Sequence, residues 1–360
     1  MHVLILENNI NIDNLVLKLQ ENPNIGLIFA SQDAICNIED VTTVDADSDE
    51  VAELLDFALA NEIGFVFALS SKAQSSELKE IFEMNGINVF ASSQFQFENL
   101  LSRCATKKMI YKNKIPIPKF AVFEKLNLAL DWCKTANFPI IIKSDMKDER
   151  RQNFYVDTYL KAQEIIENLF EQGFEKIVAE QEKEGHCFTV YYLTDSISHV
   201  HIANFYKNKD LRVCPDFQIS QKMQDDIFAN FYLKVLDAIN FDSEPFSGVL
   251  KLDFEVIDNE LFLSDVTAKF KTTDFIVLLN ALDVDIFDLL SSISTGVLED
   301  YEGCMLLKDN YFAYVEKEES QPLFDDDDNV ECIELNTNKY MYLAEASTVN
   351  RACGYLDEIG

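Results

Sequence analysis

Glycine is scarce in this chain, with 10 glycines among 360 residues. A loop that wraps a triphosphate needs backbone N–H groups close to the phosphate oxygens, and glycine permits that approach because it has no Cβ. Between Pro139 and Asp157, two short apolar runs flank a polar loop that contains no glycine. This segment has the outline of a nucleotide-binding strand–loop–strand, with bulky and charged residues where glycines would stand. It indicates an ATP-binding ancestry more strongly than a working ATP site.

Long apolar runs are also missing. The longest ones break within about ten residues, whereas a membrane-spanning helix needs roughly 20. The N-terminus, MHVLILENN, lacks the basic flank and the small-residue cleavage site of a signal peptide. The eight cysteines are scattered singly, with no CxxC pair, which is typical of reduced and buried thiols. These features predict a soluble, cytoplasmic protein.

Basic residues are outnumbered, at 30 Lys and Arg against 63 Asp and Glu, so the net charge is −33. A field of that sign repels phosphate backbones and anionic lipid, and we expect neither a nucleic-acid nor a membrane partner. The densest basic cluster lies in residues 143–151, but acidic residues interleave with it. It therefore predicts either an anion site or a solvated loop of mixed charge. The four aspartates Asp325–Asp328 lack the alternating ligands and the glycine of a calcium loop, so we expect a solvated loop there.

Apolar runs alternate with amphipathic helical stretches in the first part of the chain. The runs are HVLIL, GLIFA, GFVFAL and INVFA. Such alternation predicts a parallel sheet covered on both faces, which binds ligands at the carboxyl ends of its strands. Those ends carry Glu7, Ser31 and Ser70 and no glycine-rich turn. A dinucleotide fingerprint is therefore absent.

The middle of the chain has a different pattern. The KIPIPKF segment contains two prolines that force an extended crossing. Two stretches that alternate apolar and polar residues follow, and they predict antiparallel hairpins turning at Asp195–Ser196 and Asp258–Asn259. His199 and His201 share a face of one predicted strand, which is the spacing of a metal pair. Since no third ligand is in view, a half-exposed strand is the simpler interpretation.

In this order of elements the chain resembles the ATP-grasp superfamily, and within it the glycinamide ribonucleotide synthetases, the phosphoribosylamine–glycine ligases of purine biosynthesis. The likeness runs from Met1 to about Asp274. The stretches that carry it are MHVLIL, NVFASS, KIPIPKF, PIIIKSD, VAEQEKEGH and GVLKLDF, continuing through Asp265 and Phe270. Framework matches of this kind are better evidence for fold than for activity.

The resemblance implies an α/β architecture in three parts. A parallel α/β domain at 1–102 precedes an ATP-grasp domain at 103–300, which contains a small lid over the nucleotide at about 119–182. A small, mostly-β C-terminal domain follows at 301–360. The family binds ATP and Mg2+, and we expect both here if the ancestral site is retained and neither if it is not.

The family's functional positions can be carried over residue by residue. Arg103 stands where the family has a lysine near the nucleotide, and Glu180 matches the acid of the adenine hinge. The implied nucleotide-binding residues are Arg103, Lys143, Asp145, Arg151, Glu180 and Gln181. The family's Glu-x-Asn followed by Arg matches Asp265 and Thr267 as metal ligands and Lys269 as the catalytic cation. Asp253 and Glu255 on the preceding strand either supplement the metal site or form the exposed face of a sheet.

Several family motifs have changed. The turn that holds the substrate phosphate is glycine-rich in the family, but here it begins with Glu7, which would repel a phosphate. The flexible glycine loop falls on Met146–Gln152, where only the charge of Arg151 survives. The substrate loop after the first hairpin shrinks to LRVCPDF. A shorter acid and a hydroxyl at Asp265 and Thr267 also weaken a magnesium site.

These changes favour a diverged phosphoribosylamine–glycine ligase-like protein whose ligation is weakened or lost and which has a binding or regulatory role. Such a protein would bind a nucleotide, a protein partner or a second copy of itself. The alternative is an active ATP-dependent carboxylate–amine ligase, on the family's substrate or a changed one, that works through an acyl-phosphate. A third interpretation is an unrelated α/β binding module.

Overall fold

The computed structural model describes residues 1–145, 152–181, 185–241, 243–322 and 329–357. The first part is a five-stranded parallel sheet with helices on both faces, as predicted. Its strands are β1 (His2–Leu6), β2 (Ile28–Ser31), β3 (Val41–Val44), β4 (Ile63–Ala68) and β5 (Asn88–Phe90), and its helices are α1 (Asp13–Gln20), α2 (Val51–Ala60), α3 (Ser71–Gln74) and α4 (Leu78–Met84). The strand order is β3-β2-β1-β4-β5.

The parallel sheet is apolar because both of its faces are covered. Val3 to Leu6 of β1 are fully buried. Alternate side chains pack against α2 and α4 on one face and against α1 on the other. β3 was missed in the sequence, because its VTTV run lies at the sheet edge and exposes both threonines.

A four-stranded antiparallel sheet forms the region predicted as the lid, in the order β6-β9-β7-β8. It is preceded by α5 (Gln94–Leu101) and α6 (Arg103–Lys112), and it consists of β6 (Phe120–Phe123), β7 (Ile140–Asp145), β8 (Asn153–Val156) and β9 (Lys176–Gln181) with α7 (Leu126–Cys133) and α8 (Tyr159–Glu171). Ile140 and Ile142 of β7 pack under α7 and α8. The alternate residues Lys143 and Asp145 therefore project from the opposite face.

The third sheet has eight antiparallel strands in the order β14-β13-β10-β11-β12-β15-β17-β16. They are β10 (His186–Thr194), β11 (His199–Asn208), β12 (Leu211–Cys214), β13 (Gly248–Ile257), β14 (Glu260–Thr267), β15 (Tyr311–Glu318), β16 (Val330–Asn336) and β17 (Lys339–Ala346). Both predicted hairpins are present, and Asp258 and Asn259 have positive φ, as a tight two-residue turn requires.

The helices of this part are α9 (Gln221–Ile227), α10 (Leu233–Asn240), α11 (Thr272–Ala281), α12 (Ile286–Thr295) and α13 (Val349–Leu356). A π-helical segment, Phe228–Tyr232, joins α9 to α10. α5, α6, α9 and α10 pack on one face of the eight-stranded sheet. α12 reaches the parallel sheet, where the Phe287 and Phe65 rings lie 5.3 Å apart.

The C-terminal strands continue the large sheet, because β15 pairs with β12. A buried polar cluster fixes this junction. Both carboxylate oxygens of Asp274 accept hydrogen bonds from Arg212, at 2.9 and 2.7 Å, and Tyr191 and Tyr314 donate to the same carboxylate at 2.7 and 2.5 Å. The division at residues 102 and 300 stays a prediction, and the sheet itself runs without a break from β12 into the tail.

No helix in the described parts of the chain is both long enough and apolar enough to cross a membrane.

Candidate active site

Glu180 lies buried on β9, where the lid sheet meets α6 and the large sheet. Its side chain is buried, and its two carboxylate oxygens contact different lysines. Lys143 Nζ lies 2.8 Å from Oε2, because β7 and β9 are neighbours and place both side chains on one face. Lys107, from α6, contacts Oε1 and also donates to the Ser264 carbonyl at 2.7 Å. The three groups together carry a formal charge of +1.

The charges of this cluster depend on one another. Burial alone would raise the pKa of Glu180, but the ammonium groups of Lys143 and Lys107 hold it below its ordinary value. The Lys143 side chain is 12% exposed, whereas the Lys107 side chain is 1% exposed. Lys143 is therefore the less deeply buried of the two lysines that share Glu180.

Arg103 connects α6 to the lid and lies beside the predicted metal ligand Asp265. It lies one turn before Lys107 on α6, and its guanidinium donates to the Ser144 and Gln152 carbonyls at 3.1 and 3.0 Å. Its Nε lies 4.0 Å from Oδ2 of Asp265. Sequence reasoning missed Lys107, although residues four apart share a helix face and this spacing was visible.

Asp145 ties the lid to α6. Its Oδ2 accepts hydrogen bonds from the Ser102 hydroxyl at 3.0 Å and from the Cys104 amide at 3.3 Å, at the N-terminus of that helix. A carboxylate in this position satisfies an otherwise unpaired amide and faces the positive end of the helix dipole. Gln181 is exposed at the end of β9. Arg151 and the rest of the loop at 146–151 lie outside the described residues.

The predicted metal ligands are brought together but are engaged with cations. Asp253 and Asp265 are direct cross-strand partners on β13 and β14. Asp253 contacts Lys251 and accepts a hydrogen bond from Thr189 Oγ1 at 2.6 Å. Burial opposes its charge, yet Lys251 and Lys207 hold the pKa of Asp253 well below its ordinary value. Among the described residues, no three metal-binding side chains come close enough to hold an ion.

These contacts do not suit Mg2+. The ion needs several oxygen ligands in near-octahedral geometry. Here Asp265 lies beside Arg103, Asp253 contacts Lys251, and Thr267 offers a neutral hydroxyl. Each carboxylate already has a protein cation as its counter-charge. We derive no chemical step through magnesium at this site.

A second place of interest, at the edge of the parallel sheet, is narrow. A cavity of about 40 Å3 remains between the carboxyl edge of the parallel sheet and α11. The Phe270 ring stacks on Phe90 and Phe275, with centroids 6.1 and 4.9 Å apart. Glu7 borders this cavity and is 7% exposed. Lys269, the predicted catalytic cation, donates to Ser71 Oγ at 2.8 Å.

Comparisons with known proteins complete this picture. No protein-family model matches the sequence. A curated phosphoribosylamine–glycine ligase from Helicobacter pylori is 22% identical over 324 residues, which cover 84% of this chain and 74% of the relative. The biotin carboxylase domain of 2-oxoglutarate carboxylase from Hydrogenobacter thermophilus, solved with MgADP and bicarbonate, has a TM-score of 0.72, with 12% identity and 99% and 88% of the two chains covered. Carboxyaminoimidazole ribonucleotide synthase from Aspergillus clavatus, solved with ATP, has a TM-score of 0.70, with 12% identity and 99% and 97% covered.

The chain has the ATP-grasp fold. Its sequence is similar to phosphoribosylamine–glycine ligases over about four fifths of its length. Within the ATP-grasp frame, the cationic cluster around Glu180 lies between the lid and the large sheet. The aromatic cluster around Phe270 lies where the parallel domain meets that sheet.

The two histidines of the first hairpin belong to neither the Glu180 cluster nor the Phe270 cluster. His199 Nδ1 is 3.0 Å from Thr194 Oγ1 and 3.1 Å from the Tyr232 hydroxyl. The His201 ring packs on Tyr192 at 5.4 Å, and burial lowers the pKa of His201 to about 4. In the described part of the chain no third metal-binding side chain joins them. Asp325–Asp328 lie outside the described residues.

Proposed function

We propose that this protein is a diverged relative of the phosphoribosylamine–glycine ligases that has lost ATP-dependent ligation and acts by binding a nucleotide. The observation that carries the proposal is the pairing of both candidate metal carboxylates with protein cations. Phosphoryl transfer depends on positioning and on charge neutralisation of the phosphates. Asp265 lies beside Arg103 and Asp253 beside Lys251, so these two carboxylates already have protein counter-charges.

The cavity at the edge of the parallel sheet supports the same proposal. A ligase must hold its acceptor amine next to the activated carboxylate, and the remaining cavity of about 40 Å3 has room for only a few water molecules. The three stacked phenylalanines would have to move before a phosphorylated sugar entered. Glu7 at the same place repels a phosphate.

The cluster around Glu180 supports nucleotide binding rather than complete loss of the site. Lys143 and Lys107 share the carboxylate of Glu180, and their two ammonium groups would be the partners of an anionic phosphate. That pairing needs no metal. We therefore expect the protein to bind an adenine nucleotide with similar affinity in the presence and absence of Mg2+.

The test combines binding with turnover. Purified protein is titrated with ATP by thermal shift, with Mg2+ or with EDTA, and is then assayed for phosphate release with ATP, Mg2+, glycine and phosphoribosylamine. We expect a saturable shift in both buffers, since a ligand at a hundredfold excess over Kd stabilises the folded state by about 2.7 kcal/mol, and no phosphate above background. Phosphate release would overturn the loss of ligation.

Lys143→Ala provides the site control. It removes one of the two ammonium groups beside Glu180, and we expect it to abolish the nucleotide-induced shift. Lys134→Ala is the matched variant, because Lys134 is an exposed lysine that forms an ion pair with neighbouring Asp131 on α7. An equal ATP response in both variants would place nucleotide binding elsewhere or exclude it.

The second candidate is an active carboxylate–amine ligase on a changed substrate. The retained cluster of Lys107, Lys143 and Glu180 favours it. Under this alternative, phosphate release depends on a carboxylate and an amine other than glycine and phosphoribosylamine, and Lys143→Ala abolishes it.

A further inference from the structure

A groove of about 280 Å3 lies between α5, α6 and α10, away from the candidate active site. Its walls include Phe95, Asn99, Ala105, Met109, Ala238 and Ile239. At 100° per residue, Ala105 and Met109 lie on the side of α6 opposite to Arg103 and Lys107. None of the described residues that line the groove carries a charge. An uncharged groove is unusual on a chain in which 26% of the residues are charged.

Exposed aromatic side chains border this groove. Phe95 is 59% exposed at one wall. Phe241, two residues beyond Ile239, is 79% exposed, and the Lys112 ammonium lies 6.0 Å from the centre of its ring. Large exposed apolar groups that adjoin a concave surface are typical of sites that bind other proteins.

The segment that forms the α6 wall of the groove has a charge opposite to that of the whole protein. From Arg103 to Phe123 the sequence has six basic residues and no acidic one, although the net charge of the chain is −33. Two of these basic residues are buried in the candidate active site. The other four are exposed: Lys108, Lys112, Lys114 and Lys119. Lys112 follows Met109 by three residues and therefore continues the groove face of α6.

We propose that this groove docks an amphipathic helix of a partner protein, with apolar side chains in the groove and acidic side chains against the lysines of α6. The charge complementarity selects this occupant. A helix offers apolar anchors at three- and four-residue spacing, which suits a groove between three helices. A second copy of this chain is a poorer occupant, because two molecules of charge −33 repel each other.

The proposal is tested with two labelled helical peptides of about 18 residues, which is roughly 27 Å of helix. Both carry leucine and phenylalanine along one face. One has glutamate on the other face and the second has lysine there. Fluorescence anisotropy measures their binding to the full chain. The overall charge of the protein favours the lysine peptide, so the proposal makes the opposite prediction: the glutamate peptide binds saturably, and the lysine peptide binds at least roughly tenfold more weakly.

Two groove variants and two matched variants complete the test. Phe95→Ser and Lys112→Glu change exposed side chains, and each is expected to weaken the binding of the glutamate peptide by roughly tenfold. Leu160→Ser and Lys161→Glu change an exposed leucine and an exposed lysine on α8 and should leave binding unchanged. Equal or tighter binding of the lysine peptide, or unchanged binding by both groove variants, overturns the proposal. Sedimentation velocity that shows a dimer of the wild type abolished by Phe95→Ser would assign the groove to a second copy instead.

Discussion

The Nε atom of Arg103 lies 4.0 Å from Oδ2 of Asp265. An arginine in that place is a permanent counter-charge, because its guanidinium stays protonated at every pH at which the protein is folded. Lys251 has the same relationship to Asp253 on the neighbouring strand. Side-chain cations therefore accompany both members of the acidic pair, Asp265 and Asp253.

Glu180 is the residue on which the cationic cluster depends. Glu180→Gln leaves Lys107 and Lys143 without their shared anion in a buried site. Removing one partner of a buried ion pair costs about 3–5 kcal/mol, and we expect a loss in that range in the free energy of unfolding. Urea unfolding at pH 7 measures it. Glu171→Gln at the exposed end of α8 is the matched control and should change little. A loss below about 1 kcal/mol would contradict the role of Glu180 as the anchor of both lysines.

Asp145 is expected to stabilise the start of α6. Asp145→Ala removes the acceptor for the Cys104 amide and the Ser102 hydroxyl, and the loss of such a cap costs about 1–2 kcal/mol. Asp145→Asn keeps one acceptor oxygen and should cost less. Hydrogen exchange measured by mass spectrometry should show faster exchange at the first turn of α6. Asp157→Ala removes an exposed pair with Lys161 and should cost less than about 1 kcal/mol. Unchanged exchange in α6 would mean that Asp145 is a solvated loop residue.

Phe270 is expected to hold the parallel domain against the large sheet. Its ring is 8% exposed between Phe90 and Phe275, and replacing such a phenylalanine by alanine costs about 3–5 kcal/mol. Phe217→Ala, at a half-exposed position, serves as the control and should cost much less. Urea unfolding of both variants makes the comparison. Equal losses would show that the aromatic cluster contributes no particular stability and that the parallel domain is not held to the large sheet by Phe270.

The sequence predicted the elements whose patterns are local. The parallel domain follows from its alternating apolar runs, and the positions of Lys143 and Asp145 follow from the alternation of β7. Lys107 was missed because its four-residue spacing from Arg103 shows only that the two share a helix face and does not show the buried carboxylate that Lys107 meets. That carboxylate, Glu180, is far along the chain.

Long-range pairings account for the other features that the sequence did not predict. The bond between Asp274 and Arg212 joins residues 62 positions apart, and the pairing of β12 with β15 joins the tail to the large sheet. Neither leaves a periodic trace in the sequence. The stacking of Phe270 between Phe90 and Phe275 was equally invisible, because a phenylalanine at a junction between two sheets has the same sequence pattern as one in an ordinary core.

Glu316 makes the stability of this C-terminal junction dependent on pH. Burial would raise the pKa of Glu316, but contacts with Lys271 and Lys339 lower it from 4.5 to about 2. A carboxylate with a lowered pKa stabilises the folded state above its unfolded pKa, and this contribution is lost as the pH falls through its folded pKa. At neutral pH a shift of this size corresponds to about 3 kcal/mol.

The measurement is the free energy of unfolding of the wild type and Glu316→Gln between pH 7 and pH 2. The difference between them should be largest above about pH 5 and should shrink steadily towards pH 2, because the wild type loses a charge that the variant never had. The change in repulsion among the many other carboxylates is common to both proteins and cancels in the difference. Glu318→Gln, an exposed glutamate on the same strand, should show no such pH-dependent gap. A gap for Glu316→Gln that stays constant with pH would mean that packing, rather than the pairs with Lys271 and Lys339, accounts for its effect.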